Sequence, residues 1–279
     1  MRHNYLNNKD ILKEIHKSKN TYCSYTNSEY ADYDMILPSV SKINKKNILQ
    51  ARKDRAERLA KLALDAATVD GSKRRLAEFE IKLKDIADTD VVFRVMTWDH
   101  IPVDDVKSRK AALKALEEEG ISTSEYDEDT EVDISENTKY VKCNFPPFQH
   151  YKVDEDGNAY CVGKSHWRGE LETGEFCREH GSMTNKLAHM FMKLCERYAT
   201  RSNWRGYTYN DEMRSQALLQ LSQIGLQFDE SKSQNPFAYY TAAITNSFTR
   251  VLNIEKRNQN LRDDILEMNN LNPSYTRCL

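Results

Sequence analysis

Between Asn235 and Arg250 the chain reads as one helix with two faces of opposite character. Advancing about 100° per residue, Phe237, Tyr240, Ile244, Phe248 and Val251 fall in a narrow apolar stripe that can pack on a core. The opposite side carries Tyr239, Asn246, Arg250, Asn253 and Arg257. Aromatic, amide and guanidinium groups in one line are what a surface needs to stack on unpaired bases, hydrogen-bond base edges and neutralise phosphates. The competing reading is an ordinary amphipathic helix whose polar side is merely solvated.

The chain has 279 residues, enough to bury a core in one or two domains. It is 39% hydrophobic and 30% charged, the balance of a soluble, helix-rich protein. A formal net charge of -2 gives the whole molecule no strong field toward DNA. Nucleic-acid binding would therefore need a local patch, or a partner that presents the chain to DNA. No run approaches the length of an apolar membrane span, and the polar start Met1 to Asn4 is unlike a signal peptide, so a cytosolic location is expected. In that compartment Cys23, Cys143, Cys161, Cys177, Cys195 and Cys278 are expected as free thiols.

Five segments are expected. Residues 1–37 hold a short helix with Tyr5, Leu6, Ile11, Leu12 and Ile15, capped at Asn7 and Asn8, and a Ser, Asn and Tyr rich connector. Residues 38–138 read as a charged helical insertion. Its first helix spans Ile43 to Ala67 and carries Lys45, Lys46, Arg52, Lys53, Arg55, Arg58 and Lys61, charges for phosphate or for solvent. A second helix is expected from Lys73 to Ile86, a strand at Val91 to Met96, a third helix from Val103 to Glu119, and an acidic spacer over 121–137. Residues 139–182 contain a hairpin in which Gln149 to Val153 and Ala159 to Val162 flank the turn from Asp154 to Asn158. Residues 183–262 contain helices at Thr184 to Thr200 and Asn210 to Leu226, a corner at Trp204 and Gly206, and the two-faced helix. A tail of residues 263–279 closes the chain.

Two further patterns bear on function. Cys143, His150, Cys161, His166, Cys177 and His180 alternate in a way that invites zinc. Structural zinc sites bring ligands in tight pairs, and only Cys177 and His180 have such spacing, so no metal site is expected. No phosphate-binding glycine loop, nucleophile elbow or metalloprotease helix is present, which leaves hydrolytic and NTP-driven chemistry unsupported. In the helix from Asn210, Met213, Ala217, Leu221 and Ile224 share one core-facing sector. Leu219 and Leu226 lie elsewhere, among Glu212, Ser215, Ser222 and Gln223, as a second, half-apolar stripe of the kind a partner helix docks against.

The stretch Asn203-Trp204-Arg205-Gly206-Tyr207-Thr208, with Glu212-Met213, Leu226 to Lys232, Asn235 to Tyr239 and Glu255-Lys256-Arg257, resembles the late-transcription sigma factor of large tailed bacteriophages. The opening Asn4 to Lys9 is similar to that family's N-terminus. The resemblance covers about residues 183 to 262 and the first dozen. Residues 40 to 140 fall outside it. More distantly, the same helices are similar to domain 2 of bacterial primary sigma factors. There one helix docks on the clamp coiled-coil of the RNA polymerase β′ subunit, and the next reads and opens the −10 promoter element.

The resemblance implies polymerase docking through Glu212, Ser215, Leu219 and Ser222, to which the spacing adds Leu226. It implies promoter reading by Tyr239, Tyr240, Ala243, Asn246, Ser247 and Arg250, to which the polar face adds Asn253 and Arg257. Where primary sigma factors place paired tryptophans, this chain has Ala243 and Ile244, so a wedge must come from Tyr239 or Tyr240 or be missing. About twenty residues follow Arg257, too few for a helix-turn-helix domain that reads a −35 element. The family's tail is acidic and hydrophobic and resembles a sliding-clamp ligand, whereas here the end is Asn272 to Leu279.

The expected fold is thus mainly α, a sigma-factor domain-2-like helical core with a helical insertion and a small β-hairpin. The expected function is a phage-encoded sigma factor, not an enzyme and needing no cofactor, that directs host RNA polymerase core to late promoters in the cytoplasm of the infected bacterium. Promoter DNA, a phage co-activator and a sliding clamp are further partners, and no membrane is involved. The alternative is a polymerase-binding co-activator or anti-sigma protein that does not touch DNA. A zinc-dependent nucleic-acid enzyme is a third class.

Overall fold

The computed structural model describes residues 7–68, 76–103 and 140–274. They divide into two units. Residues 7–22, 144–146 and 181–274 form the first, and residues 23–68, 76–103, 140–143 and 147–180 the second.

The first unit is built from four helices among the described residues. In α1 (Asn8–Asn20) the Asn7 side chain accepts from the Lys9 N–H, and Ile11, Ile15, Ser18 and Lys19 form the buried face. Helix α3 (Asn185–Ala199) begins at Thr184, whose hydroxyl accepts from the Leu187 N–H at 3.3 Å while its own N–H donates to Ser18 Oγ at 3.0 Å. One threonine therefore caps a helix and ties it to α1. Just before it, Gly181 has φ +100°, and any Cβ there would collide with the Thr21 backbone.

Helices α4 (Asn210–Ile224) and α5 (Pro236–Met268) complete the unit. Leu187, Phe191 and Leu194 from α3, Met213, Ala217 and Leu221 from α4, and Tyr240, Ile244, Phe248 and Val251 from α5 are buried. Each Leu, Ile, Val, Phe and Met among them contributes roughly 1.5–3 kcal/mol on leaving water. The segment between α4 and α5 is held by the buried Lys19, whose Nζ donates to the Phe228 carbonyl and to Glu230 Oε2, both at 2.6 Å. Breaking such a pair leaves an uncompensated buried charge.

The second unit contains a five-stranded mixed sheet in the order β1-β5-β4-β3-β2: β1 (Cys23–Tyr25), β2 (Met35–Leu37), β3 (Phe93–Met96), β4 (Phe148–Val153) and β5 (Ala159–Ser165). Strands β2 and β3 are parallel, and the connection between them carries α2 (Lys45–Thr68), since parallel neighbours require a crossover. Ala51, Leu37, Phe93, Val95 and Val153 form the buried cluster of this unit. A two-stranded ribbon, β6 (Trp167–Arg168) with β7 (Glu175–Phe176), follows.

The basic helix is tied to the sheet side by charge. Asp34 is buried and accepts from Arg58 Nη2 at 2.7 Å, Arg55 Nη1 at 3.2 Å and the Val92 N–H at 3.0 Å, while Arg52 pairs with Asp88 at 2.8 Å. These arginines are engaged within the unit. In the sheet, buried Arg94 donates from Nε to His150 Nε2 at 3.0 Å, and His150 Nδ1 lies 2.6 Å from the Tyr30 carbonyl. The ring therefore donates at Nδ1 and accepts at Nε2.

The expectation of a mainly α fold is overturned. The described residues are about 52% helical and 13% strand, with a five-stranded mixed sheet and a two-stranded one, so the fold is mixed α/β. The expected small hairpin is β4–β5, and it is the middle of that sheet. Strand β3, expected within a helical insertion, is paired on both sides, to β2 and β4. Strands β1 and β2 have three residues each, too few to show an alternating period, and they are stabilised by partners far along the chain. The helix expected over Lys73 to Ile86 is also corrected. From Leu76 onward there are two 3-10 turns, Leu76–Phe79 and Leu83–Asp85, whose apolar side chains line a groove with Lys53, Ala56 and Ala60 of α2. Packing against α2 takes Leu76, Ile81 and Leu83 at a spacing that a continuous helix would not offer. The helix expected at Val103 to Glu119 and the acidic spacer over 121–137 lie outside the described residues, apart from Val103.

A pH dependence follows from His100. Burial holds its imidazole neutral and pushes its pKa down to about 4, against a weaker raising effect from the contact with the Ser165 carbonyl at 3.0 Å. In the unfolded chain a histidine titrates near 6.5. The denatured state therefore binds more protons between those values. Stability is complete above about pH 6.5 and falls as pH drops toward about 4, by on the order of 3 kcal/mol. Urea unfolding at about pH 7.5 and about pH 4.5 should show this loss in the wild type, and His100→Gln should show a smaller one.

Candidate nucleic-acid interface

Helix α5 starts at Asn235, whose side chain accepts from the Ala238 N–H at 3.1 Å, with Pro236 in the first turn. Rotation about the axis is then fixed by Tyr240. Its ring is fully buried, 4.8 Å from Phe191 between centroids, and its hydroxyl donates to the Gly225 carbonyl at 2.6 Å. One residue earlier and about 100° away, Tyr239 is 36% exposed.

Between α4 and α5 lies a groove of about 410 Å³. From α5 it is lined by Tyr239, Ala242, Ala243, Asn246, Ser247 and Arg250, and from α4 by Gln216, Gln220 and Ile224. Among the described residues its lining contains no carboxylate. Carboxamides supply donors and acceptors, Arg250 supplies a cation, and Tyr239 supplies a ring face. Burial raises the Tyr239 pKa, so its phenol is a neutral hydroxyl at physiological pH. The arrangement can take an aromatic, hydrogen-bonding, anionic ligand, the chemistry of a single nucleotide or a short unpaired strand.

Of the residues expected to meet DNA, Tyr239, Ala243, Asn246, Ser247 and Arg250 are brought together by this groove. Asn253 and Arg257 are exposed further along α5. Tyr240 is a core residue, and Ser247 lines the groove with little exposure. Phe237, expected in the core stripe, is exposed instead. Gln216, Gln220 and Ala242 were not expected. The two glutamines stand one turn apart on α4, a signal that was present in the spacing but says nothing of which helix they face.

The expected docking stripe also divides. Glu212, Ser215, Leu219 and Ser222 are exposed along one line of α4, and Leu219 is 54% exposed. Ser215 and Ser222 turn their hydroxyls to the carbonyls of Asp211 and Leu219, at 2.9 and 2.7 Å. Leu226 is only 6% exposed and is not on that stripe. The helix ends at Ile224, so Leu226 no longer follows its period and points inward near Phe228.

Among the described residues, no three His, Cys, Asp or Glu side chains converge in a group that could hold a metal ion. Both ring nitrogens of His150 are used, by Arg94 and the Tyr30 carbonyl. Cys143 and Cys161 donate to the carbonyls of Val141 and Gly163, and burial raises both thiol pKa values. Among the described residues no helix is long and apolar enough to cross a membrane. The first six residues, which carry part of the N-terminal resemblance, and the last five of the tail expected over 263–279 lie outside the described residues, and that tail's first part, through Met268, belongs to α5 instead. No family model, curated protein or solved structure matches this chain.

The split between Tyr240 and its neighbours has a measurable consequence. Tyr240→Phe leaves the Gly225 carbonyl without its donor and should lower unfolding free energy by about 1–3 kcal/mol. Asn246→Ala, on the exposed groove wall, should change it by no more than about 0.5 kcal/mol. Denaturant melts of both variants check the order, and a larger cost at Asn246 would place that side chain in the core.

Proposed function

We propose that this chain is a sigma-type transcription factor that binds a bacterial host RNA polymerase core and directs it to phage late promoters by reading and melting an A·T-rich element of −10 type. The observation that carries this reading is the groove between α4 and α5, where Tyr239, Asn246 and Arg250 line one wall and two glutamines the other, with no carboxylate among them. On the same helix pair, the exposed line Glu212, Ser215, Leu219 and Ser222 offers polymerase a separate surface, led by an apolar side chain. Docking and DNA reading then fall on neighbouring stripes of one rigid hairpin, so binding the enzyme positions the reader.

In this mechanism the polymerase does the chemistry and the chain supplies binding energy. A net charge of -2 gives little affinity for DNA at a distance, which suits a factor that meets promoter only when held by the enzyme. A·T-rich steps are the cheapest to unstack, and a base placed on Tyr239 recovers roughly 1–3 kcal/mol by stacking. The site of action is the cytoplasm of the infected bacterium.

Run-off transcription with core polymerase on late promoters, with and without the chain, tests the proposal directly. Leu219→Glu should lower affinity for core by an order of magnitude or more with helical circular dichroism unchanged. Tyr239→Ala and Asn246→Ala should retain core binding and lose permanganate reactivity of unpaired promoter thymines. Arg250→Ala should reduce the slope of log affinity against log salt by roughly one unit. If core binding depends on Leu219 while all three groove variants open promoters normally, the chain is a polymerase-binding co-activator or anti-sigma protein.

A further inference from the structure

Helix α5 has 33 residues and α4 has 15, roughly 50 Å against roughly 22 Å of axis. The apolar stripe of α5 is buried through Tyr240, Ile244, Phe248 and Val251 and then continues without cover among the described residues. Ile254, Leu261, Ile265 and Met268 are each about half exposed or more. With Asn258 they follow alternating steps of four and three residues, the a and d positions of a coiled-coil seam, with Asn258 and Ile265 at a. Residues 269–274, the described residues after α5, do not cover this seam. They fold back on another side of the helix, where the Ser274 N–H and hydroxyl donate to Asp263 at 2.9 and 2.7 Å, and Gln259 donates to Ser274 Oγ at 3.1 Å.

We propose that the seam formed by Ile254, Asn258, Leu261, Ile265 and Met268 docks antiparallel against the same seam of a second copy of this chain. The charges that flank it select both occupant and direction. With the two-fold axis crossing between Gln259 and Asn260, Ile254 meets Ile265 of the second copy and Asn258 meets Leu261. Glu255 then faces Arg262 of the second copy, and Arg257 faces Asp264. Symmetry repeats both contacts, giving four opposite-charge pairs. In the parallel arrangement Arg257 would instead stand against Arg262. Asn258 keeps a hydrogen bond from its amide to Glu255 of its own helix at 3.3 Å, so it can lean to the edge of the seam rather than bury an unpaired amide. The contact is small, which makes the dimer weak and concentration-dependent.

This inference does not rest on the promoter reading, and its test needs neither polymerase nor DNA. Sedimentation equilibrium of the full chain, over a series reaching hundreds of micromolar, should show a monomer–dimer equilibrium. Arg262→Glu sets Glu255 against a like charge and should weaken association about tenfold or more. Combining Glu255→Arg with Arg262→Glu should restore it to within about threefold, and Asn258→Leu should strengthen it. Asn258 and Arg262 are exposed on α5 and Glu255 is half-buried, and unchanged helical circular dichroism confirms that each variant is folded. A parallel seam gives the opposite sign, since Arg262→Glu would relieve the clash with Arg257 and tighten the dimer. A wild-type chain that stays monomeric, an Arg262→Glu variant that associates as well as or better than wild type, or a double variant that fails to recover overturns the proposal.

Discussion

The hydroxyl of Tyr240 donates to the Gly225 carbonyl from a side chain with no solvent exposure, and this bond fixes how α5 is turned about its axis. Gly225 lies just past the end of α4, so the contact also sets where that helix stops relative to α5. Everything proposed for the groove depends on this rotation. Turning α5 by one residue would put Tyr239 in the core and carry Asn246 and Arg250 away from Gln216 and Gln220. The ring contacts of Tyr240 with Phe191, and of Phe248 with Tyr198 and Trp204, resist such a turn.

The second unit uses charge where the first uses aromatic packing. Asp34 precedes β2, and its buried carboxylate is met by two arginines from successive turns of α2 and by the Val92 N–H just ahead of β3. One side chain thereby ties together both parallel strands and their crossover helix. A buried carboxylate is tolerable only with such a shell of donors. The same arrangement explains why a helix dense in Lys and Arg need not be an anion-binding surface.

The parts of the fold legible in the sequence were those with a local period. Helices α1 to α5 and the hairpin β4–β5 repeat a pattern over enough residues to be read, and Thr184 and Asn235 mark their helix starts by chemistry. Strands β1 and β2 could not be read, because three residues carry no period and their stability comes from non-local pairing. The candidate site was legible to the level of a face. Spacing placed Tyr239, Asn246 and Arg250 on one side of α5 and Tyr240 in the apolar stripe, but it could not by itself reject the resemblance that counts Tyr240 among the promoter readers, which the burial of that ring overturns. Nor could it show that Gln216 and Gln220 stand across the groove, since which helix a glutamine faces is a tertiary fact. Leu226 leaves the docking stripe because the helical period stops at Ile224, a boundary that the apolar spacing does not mark.

Arg257 belongs to two arguments at once, and this couples them. It is exposed on α5 beyond the groove, where a phosphate could reach it, and it flanks the seam, where Asp264 of a second copy would neutralise it. A guanidinium engaged by one is unavailable in the same geometry to the other. Were the chain to do both, linkage would require that DNA binding weaken self-association by the same factor by which self-association weakens DNA binding. Because the seam pairs are exposed, that coupling is screened by salt, as is any phosphate contact. The buried part of α5 does not enter the competition, since Tyr240, Ile244, Phe248 and Val251 are covered in the monomer itself. Release from the proposed dimer would therefore expose Arg257 without repacking the groove.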